Sequence, residues 1–298
     1  MPFPVLKPGL NDLGGKTYKK WTISNYNGDP NNPTVLTNGT LVAATILNSA
    51  HIVLRDVNVL GDDTTTPVPQ LRSKALTVRQ SSHITVEGSD LSRSQVGLVA
   101  ILTTHLTVKG NVFHSNRDDM HLVNSELYTI DSNEFTNHQN ATGDHPDAIQ
   151  VWADKGLPHP AQGCTITNNC IHRGNGNPMQ GVFIRSYTQT QKPGWKAPAG
   201  LKVSGNLLIG TAFNAIAVCG DGSVNDNDVY SYTDKMAKIV VQGKYAIFGN
   251  EAQRFAINGQ FSKAAPAGNV LNTAIPDKLR TMTEKSLVDE WRQRVGLG

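Results

Sequence analysis

One short pattern recurs along most of the chain, and it restricts the fold more than any other feature. It reads His51-Ile-Val-Leu-Arg-Asp-Val-Asn-Val, His83-Ile-Thr-Val-Glu-Gly-Ser-Asp-Leu, His105-Leu-Thr-Val-Lys-Gly-Asn-Val-Phe, Leu127-Tyr-Thr-Ile-Asp-Ser-Asn-Glu-Phe, Gly163-Cys-Thr-Ile-Thr-Asn-Asn-Cys-Ile and Gly200-Leu-Lys-Val-Ser-Gly-Asn-Leu-Leu. The starts are separated by 32, 22, 22, 36 and 37 residues, so the basic unit is 22 residues and the longer gaps are that unit with a loop inserted. Each copy is preceded by a second short run: Ala75-Leu-Thr-Val, Gly97-Leu-Val-Ala, Asp119-Met-His-Leu, Ala148-Ile-Gln-Val, Gly181-Val-Phe-Ile and Ala215-Ile-Ala-Val. Both sets alternate with period 2, the signature of half-buried strands. Strands this short cannot close a core alone, but coils stacked about 4.8 Å apart bury one continuous aliphatic column.

Asn111, Asn133, Asn169 and Asn206 share one place in four successive copies. Asn tolerates left-handed backbone and hydrogen-bonds its neighbours, so a stacked ladder at one corner accounts for much of the chain's richness in Asn. His51, His83 and His105 share a strand-start position and read as structural or merely exposed. Cys164, Cys170 and Cys219 form an odd, sparse set without zinc spacing, which reads as buried thiols rather than a disulfide framework. The net charge is only +3 with no basic run, so nucleic acid is not an expected partner. The apolar runs Leu41–Leu47 and Gly97–Leu102 are too short to span a bilayer, and Met1 to Leu10 does not read as a signal peptide.

The expected organisation is a cap over residues 1–34, one solenoid over 35–262 with insertions at 153–162, 186–199 and 220–235, and a C-terminal segment 263–298. In that last segment Pro276 and Asp277 start a helix whose stripe is Leu279, Met282, Leu287, Val288, Trp291 and Val295. It caps or packs along the last coil, or docks a partner or subunit. The coil pattern resembles the right-handed parallel β-helix family of pectate lyases, polygalacturonases, alginate epimerases and phage tailspike depolymerases. That resemblance implies an all-β, single-stranded parallel β-helix acting on polysaccharide outside the cell or on a virion, and the tailspikes among it imply a homotrimer.

The candidate site lies on the outward positions of the second strand set. Alignment on the aliphatics stacks Asp119, Ala148 and Gly181 in one column, His121, Gln150 and Phe183 in the next, and Val123, Trp152 and Arg185 in a third. Asp118 and Asp147 stand at the starts of their strands, with His145 just ahead and Tyr187 just beyond Arg185. The same columns one or two coils away are small or apolar, so this polar set is local.

Hydrolysis of a glycosidic bond needs a carboxylic acid and a second carboxylate. Asp118 or Asp119 with Asp147 supplies such a pair, with Trp152 stacking on a sugar face and Arg185 binding an acidic sugar. β-Elimination is the alternative: His121, His145 or Tyr187 would remove a proton, and Arg185 or Gln150 would neutralise the uronate. Asp118, Asp119 and Asp147 could instead hold Ca²⁺, and His121, His145 and Asp147 could hold Zn²⁺. Asn116-Arg117-Asp118-Asp119 resembles the doubled Asp of polygalacturonases, and Asp144-His145-Pro146-Asp147 resembles the Asp-Pro-His motif of alginate epimerases with two residues reversed. A glycan-binding or structural tail fibre without catalysis is the remaining class.

Overall fold

The computed structural model describes residues 3–62, 72–140, 144, 146–152, 162–184, 199–211, 214–231, 237–262, 264–271 and 283–297. Its strands lie in three parallel stacks, and each coil contributes one strand to each. A representative coil runs Ser82–Glu87, Asp90–Ser92 and Val96–Ile101 before the chain climbs to Thr104–Lys109. Register is exact from coil to coil: Ile52, Ile84 and Leu106 pair in one column, and Leu76, Leu98, Met120 and Ile149 in another. These aliphatics point inward and form one continuous core from Leu13 to Phe255. Phe113 and Phe135 stack within it at 4.9 Å.

The corners are as regular as the faces. His51, His83, His105 and Leu127 all have positive φ, and Gly163 and Gly200 occupy the same place further along. The repeat position thus demands left-handed backbone, and the His rings stack at 4.8 and 4.4 Å because the backbone brings them into register. At another corner the Asn ladder runs further than the motif suggests. Each of Asn111, Asn133, Asn169, Asn206, Asn227 and Asn250 donates its side-chain N–H to the Oδ1 of the next, ending at Asn269, with distances from 2.8 to 3.0 Å. That same Oδ1 also accepts the preceding Asn's backbone N–H, so a corner shut off from water leaves few polar groups unpaired.

Three boundaries differ from expectation. The first coil begins at Gly9 rather than at 35: Gly9–Asp12, Thr17–Lys19 and Thr22–Ser24 pair with Thr34–Thr37, Thr40–Val42 and Ala44–Leu47. Trp21 is buried and stacks on Phe3. Residues 220–225, expected in a loop, belong to the continuous strand Asn214–Asn225, and Asp228–Tyr230 is also strand. Glycines in this stretch suggest a loop, but Gly222 and Gly243 are there because a Cβ would strike the carbonyl of the adjacent rung. The helix Glu284–Val295 lies along the flank rather than over the last coil, burying Leu287, Val288 and Trp291 against Cys170, Leu207, Ile209 and Tyr230. Thr283 caps it, accepting the Ser286 N–H, and the Trp291 indole donates to the Asn168 carbonyl at 2.7 Å. Pro276, Asp277, Leu279 and Met282 lie outside the described residues, as do the insertions except Gln162, Ala199 and 220–231. Among the described residues no helix is long and apolar enough to cross a membrane.

Asn169 is fully buried and serves two rungs at once. Asn169→Ala would strand the Asn133 donors and take away one of the two N–H groups donated to Asn206 Oδ1 and the one donated to the Ile130 carbonyl. It is expected to cost about 3 kcal/mol or more, read as a lower urea midpoint in equilibrium unfolding.

Candidate functional site

Three successive rungs, Asp118–Val123, Asp147–Trp152 and Gln180–Ile184, carry the candidate residues. Their inward side chains, Met120 with Leu122 and Ile149 with Val151, are fully buried or nearly so and fix the sheet on the core. The pairing His121↔Gln150↔Phe183 confirms that outward column, and Val123 pairs with Trp152. The edge of the His121 ring meets Trp152, with centroids 4.9 Å apart. Gln150, Trp152 and Phe183 are all half-buried.

Asp118 and Asp147 come together at the head of this surface. The Asp147 N–H donates to Asp118 Oδ1 at 3.1 Å, which places two carboxyl groups on adjoining rungs. Asp118 keeps 24% of its side chain exposed and His121 keeps 17%, while Asp147 is 2% exposed overall and its Oδ1 is buried without a hydrogen bond. Burial pushes the Asp118 carboxyl up to about 6; the Asp147 N–H restrains that rise and neighbouring Asp119 adds to it. Burial likewise pushes Asp147 up to about 8, reinforced by the Asp118 charge. His121 is pushed down to about 4 by burial and then by the Lys74 charge, so it is neutral at pH 7. Its Nε2 lies 3.6 Å from Asp118 Oδ2, too far for a hydrogen bond, and with His121 neutral this is no ion pair.

Asp119 is not on the outward surface. It is fully buried, like Ala148 on the next rung, and a Cβ at the same position points at interior atoms: from Gly97 on the preceding rung at Phe113 and Asn116, from Gly181 two rungs on at Leu208. The strand bends at its first residues, so simple alternation fails there. Asp119 instead accepts from Asn116 Nδ2 at 3.0 Å and contacts the fully buried His138. The three carboxylates named for Ca²⁺ therefore do not converge, and among the described residues no group of three or more His, Cys, Asp or Glu is disposed to hold a metal. His145, Arg185 and Tyr187 lie outside the described residues.

Sequence patterning missed Arg117 and His138. Arg117 bonds Asp144 Oδ2 at 2.7 Å and is one of the cations acting on Asp118. It precedes the strand by one residue, where no column can be read. His138 sits in a turn outside the repeat. Gln180 extends the head of the surface, accepting from Asn214 Nδ2 at 2.9 Å.

Both carboxyls hold their protons more tightly folded than at the usual 3.8, so their contribution to stability is complete below about pH 4 and is lost as pH rises through 6 and 8. The melting temperature of the protein is expected to fall over that window. Asp147→Asn, which carries no charge at any pH in it, should flatten the upper part and raise Tm at pH 8 by roughly 2–4 °C.

A family model described as "Right handed beta helix region" matches residues 43–231, well over half of the chain. Among solved structures, a mutant form of the PL6-family alginate lyase AlyGC superposes with a TM-score of 0.51 at 13% identity, over 89% of this chain and 38% of that one. The Dettilon tailspike protein gives 0.46 at 10% identity, over 86% and 58%. An alginate lyase from Paenibacillus sp. gives 0.40 at 15% identity, over 89% and 92%. The chain thus spans less than two thirds of the first two, and at these identities the likeness is one of fold. No curated protein sequence matches the chain.

Proposed function

The chain belongs to the right-handed β-helix family, and on that footing we propose that it cleaves glycosidic bonds of an acidic polysaccharide by hydrolysis at the Asp118–Asp147 pair. One observation carries the reading: two carboxyls on adjoining rungs whose surroundings hold their protons with unequal strength, about 6 for Asp118 and about 8 for Asp147. At neutral pH Asp147 keeps its proton and Asp118 is ionised. Asp147 donates to the glycosidic oxygen as the C–O bond breaks and its electron pair goes to that oxygen. Asp118 stabilises the positive charge growing at the anomeric carbon and takes a proton from the water molecule whose oxygen forms the new bond to that carbon. Trp152 and Phe183 offer apolar faces to sugar rings, and Gln150 between them offers an amide to hydroxyl groups. Exposed Lys74, in the Asp118 column two rungs back, supplies a cation for a substrate carboxylate. That cation makes acidic polymers the first substrates to try, and the similarly folded AlyGC, an alginate lyase, puts alginate among them.

A second reading rests on His121. A neutral imidazole with a buried, unpaired Nε2 beside the carboxylates suits removal of a proton α to a uronate, the first step of β-elimination. The products separate the two. On a panel of acidic polysaccharides, hydrolysis gives new reducing ends without ultraviolet absorbance, and elimination gives the absorbance of an unsaturated uronate. Neither signal on any polymer would leave only glycan binding. Asp147→Asn and Asp118→Asn are each expected to lower kcat by about 100-fold or more under the hydrolytic reading. Full activity in either variant would remove the pair from the mechanism.

A further inference from the structure

Behind the proposed pair lies a buried Asp–His contact that the proposed chemistry does not use. Asp119 stands in a column whose other members are Ala75, Gly97, Ala148, Gly181 and Ala215, and the alanines there are fully buried. The interior is tight at this bend: a Cβ on Gly181 would come within 2.2 Å of the Ala215 carbonyl oxygen. A carboxyl group in a column of Gly and Ala is expensive, since burying a polar group stabilises a fold less than burying an apolar side chain of similar size. The stack folds its neighbouring rungs without one.

The carboxyl group is nevertheless contacted on both oxygens. Asp119 Oδ1 accepts from Asn116 Nδ2 at 3.0 Å, and Oδ2 faces Nε2 of His138, with Asp119 and His138 both fully buried. Asn116 is locked in turn, its Oδ1 accepting from the Ser94 N–H and hydroxyl and its Nδ2 also donating to the Leu91 carbonyl. His138 is fixed through its own backbone: its carbonyl accepts from the Asn177 N–H at 2.8 Å, and Gly176 lets that next turn come close, since a Cβ there would stand 2.4 Å from His138 N. The neighbouring segment thus holds the His138 backbone in place beside Asp119.

We infer that His138 and Asp119 are positioning residues: their buried side-chain contact fixes the start of the strand Asp118–Val123, and with it the direction in which Asp118 presents its carboxylate. This rests on the reading of Asp118 given above. The groups that face Asp118 are Arg117, Asp119 and His121 on its own segment, Asp147 on the next rung, His138 in the turn, and Lys74 two rungs back. His138 lowers the proton affinity of Asp118 and Asp119 raises it, so loss of His138 alone leaves the raising influence unopposed.

Two variants and two readouts test this. In His138→Gln, carboxyl-carbon NMR should show the Asp118 titration midpoint raised by about one unit. The acidic limb of the activity profile should move with it, and kcat should fall about 10- to 100-fold at little change in KM. The double variant Asp119→Ala with His138→Leu removes both polar groups together, gives position 119 the alanine of the next rung, and should melt no lower than wild type. In wild type the Asp147 amide, bonded to Asp118, should shift with the Asp118 titration; in the double variant that response should be lost and kcat should again fall. A folded variant with an unchanged Asp118 midpoint, or a folded double variant whose Asp147 amide still follows Asp118, would overturn the inference. The NMR readouts need no substrate, so a protein inactive on every polymer would sink the functional reading and leave the positioning role to be decided by titration.

Discussion

Parallel pairing in exact register is the interaction on which everything else in this molecule depends. Because each residue lies directly over its counterpart one rung below, every side chain meets the same column for the length of the stack. Apolar columns become a continuous core, and a corner position that leaves backbone groups short of partners is repaired by one residue type repeated. The Asn ladder is that repair: each amide serves the rung above and the rung below, so removing one member disturbs three.

The same register sets the electrostatics of the candidate site. Two carboxyls placed at one column position on consecutive rungs are brought together by the backbone whether or not their charges permit it. Their mutual repulsion and their burial are answered by a shift in proton affinity rather than by a change of geometry. The core aliphatics on the inward side of each strand hold the backbone too firmly for the strands to part. Local destabilisation at the head of these strands is therefore tolerated because long, well-packed stacks on both sides sustain it.

The architecture was largely legible in the sequence, since strand periodicity, the 22-residue spacing and the recurring Asn all follow from one geometric repeat. The outward column of His121, Gln150 and Phe183 was legible for the same reason. Asp119 was misplaced because alternation assumes a straight strand, and the chain is still turning the corner at that residue. Residues 220–225 were misjudged because glycine serves equally for a loop and for close approach between rungs. His138 and Arg117 lie in turns, where no periodicity exists to assign a direction, so their nearness to Asp118 is purely a matter of tertiary structure. The helix was recognisable from its stripe, but its docking against Cys170, Leu207, Ile209 and Tyr230 required knowing which flank presents that apolar strip.

The corners of the solenoid are unequal, and this bears on how such a molecule can change over evolutionary time. Between Asn111 and Asn269 the ladder corner admits no added residue, because one extra would put an Asn out of reach of its neighbour. The stretches that interrupt the repeat, 61–73, 153–161 and 185–198, instead lie next to strands of the candidate-site stack in the chain, away from the Asn corner. Lineages can therefore lengthen or replace the segments bordering one face while inheriting the rest of the rod unaltered. Novelty is directed to a single side of the protein by the hydrogen bonding of another.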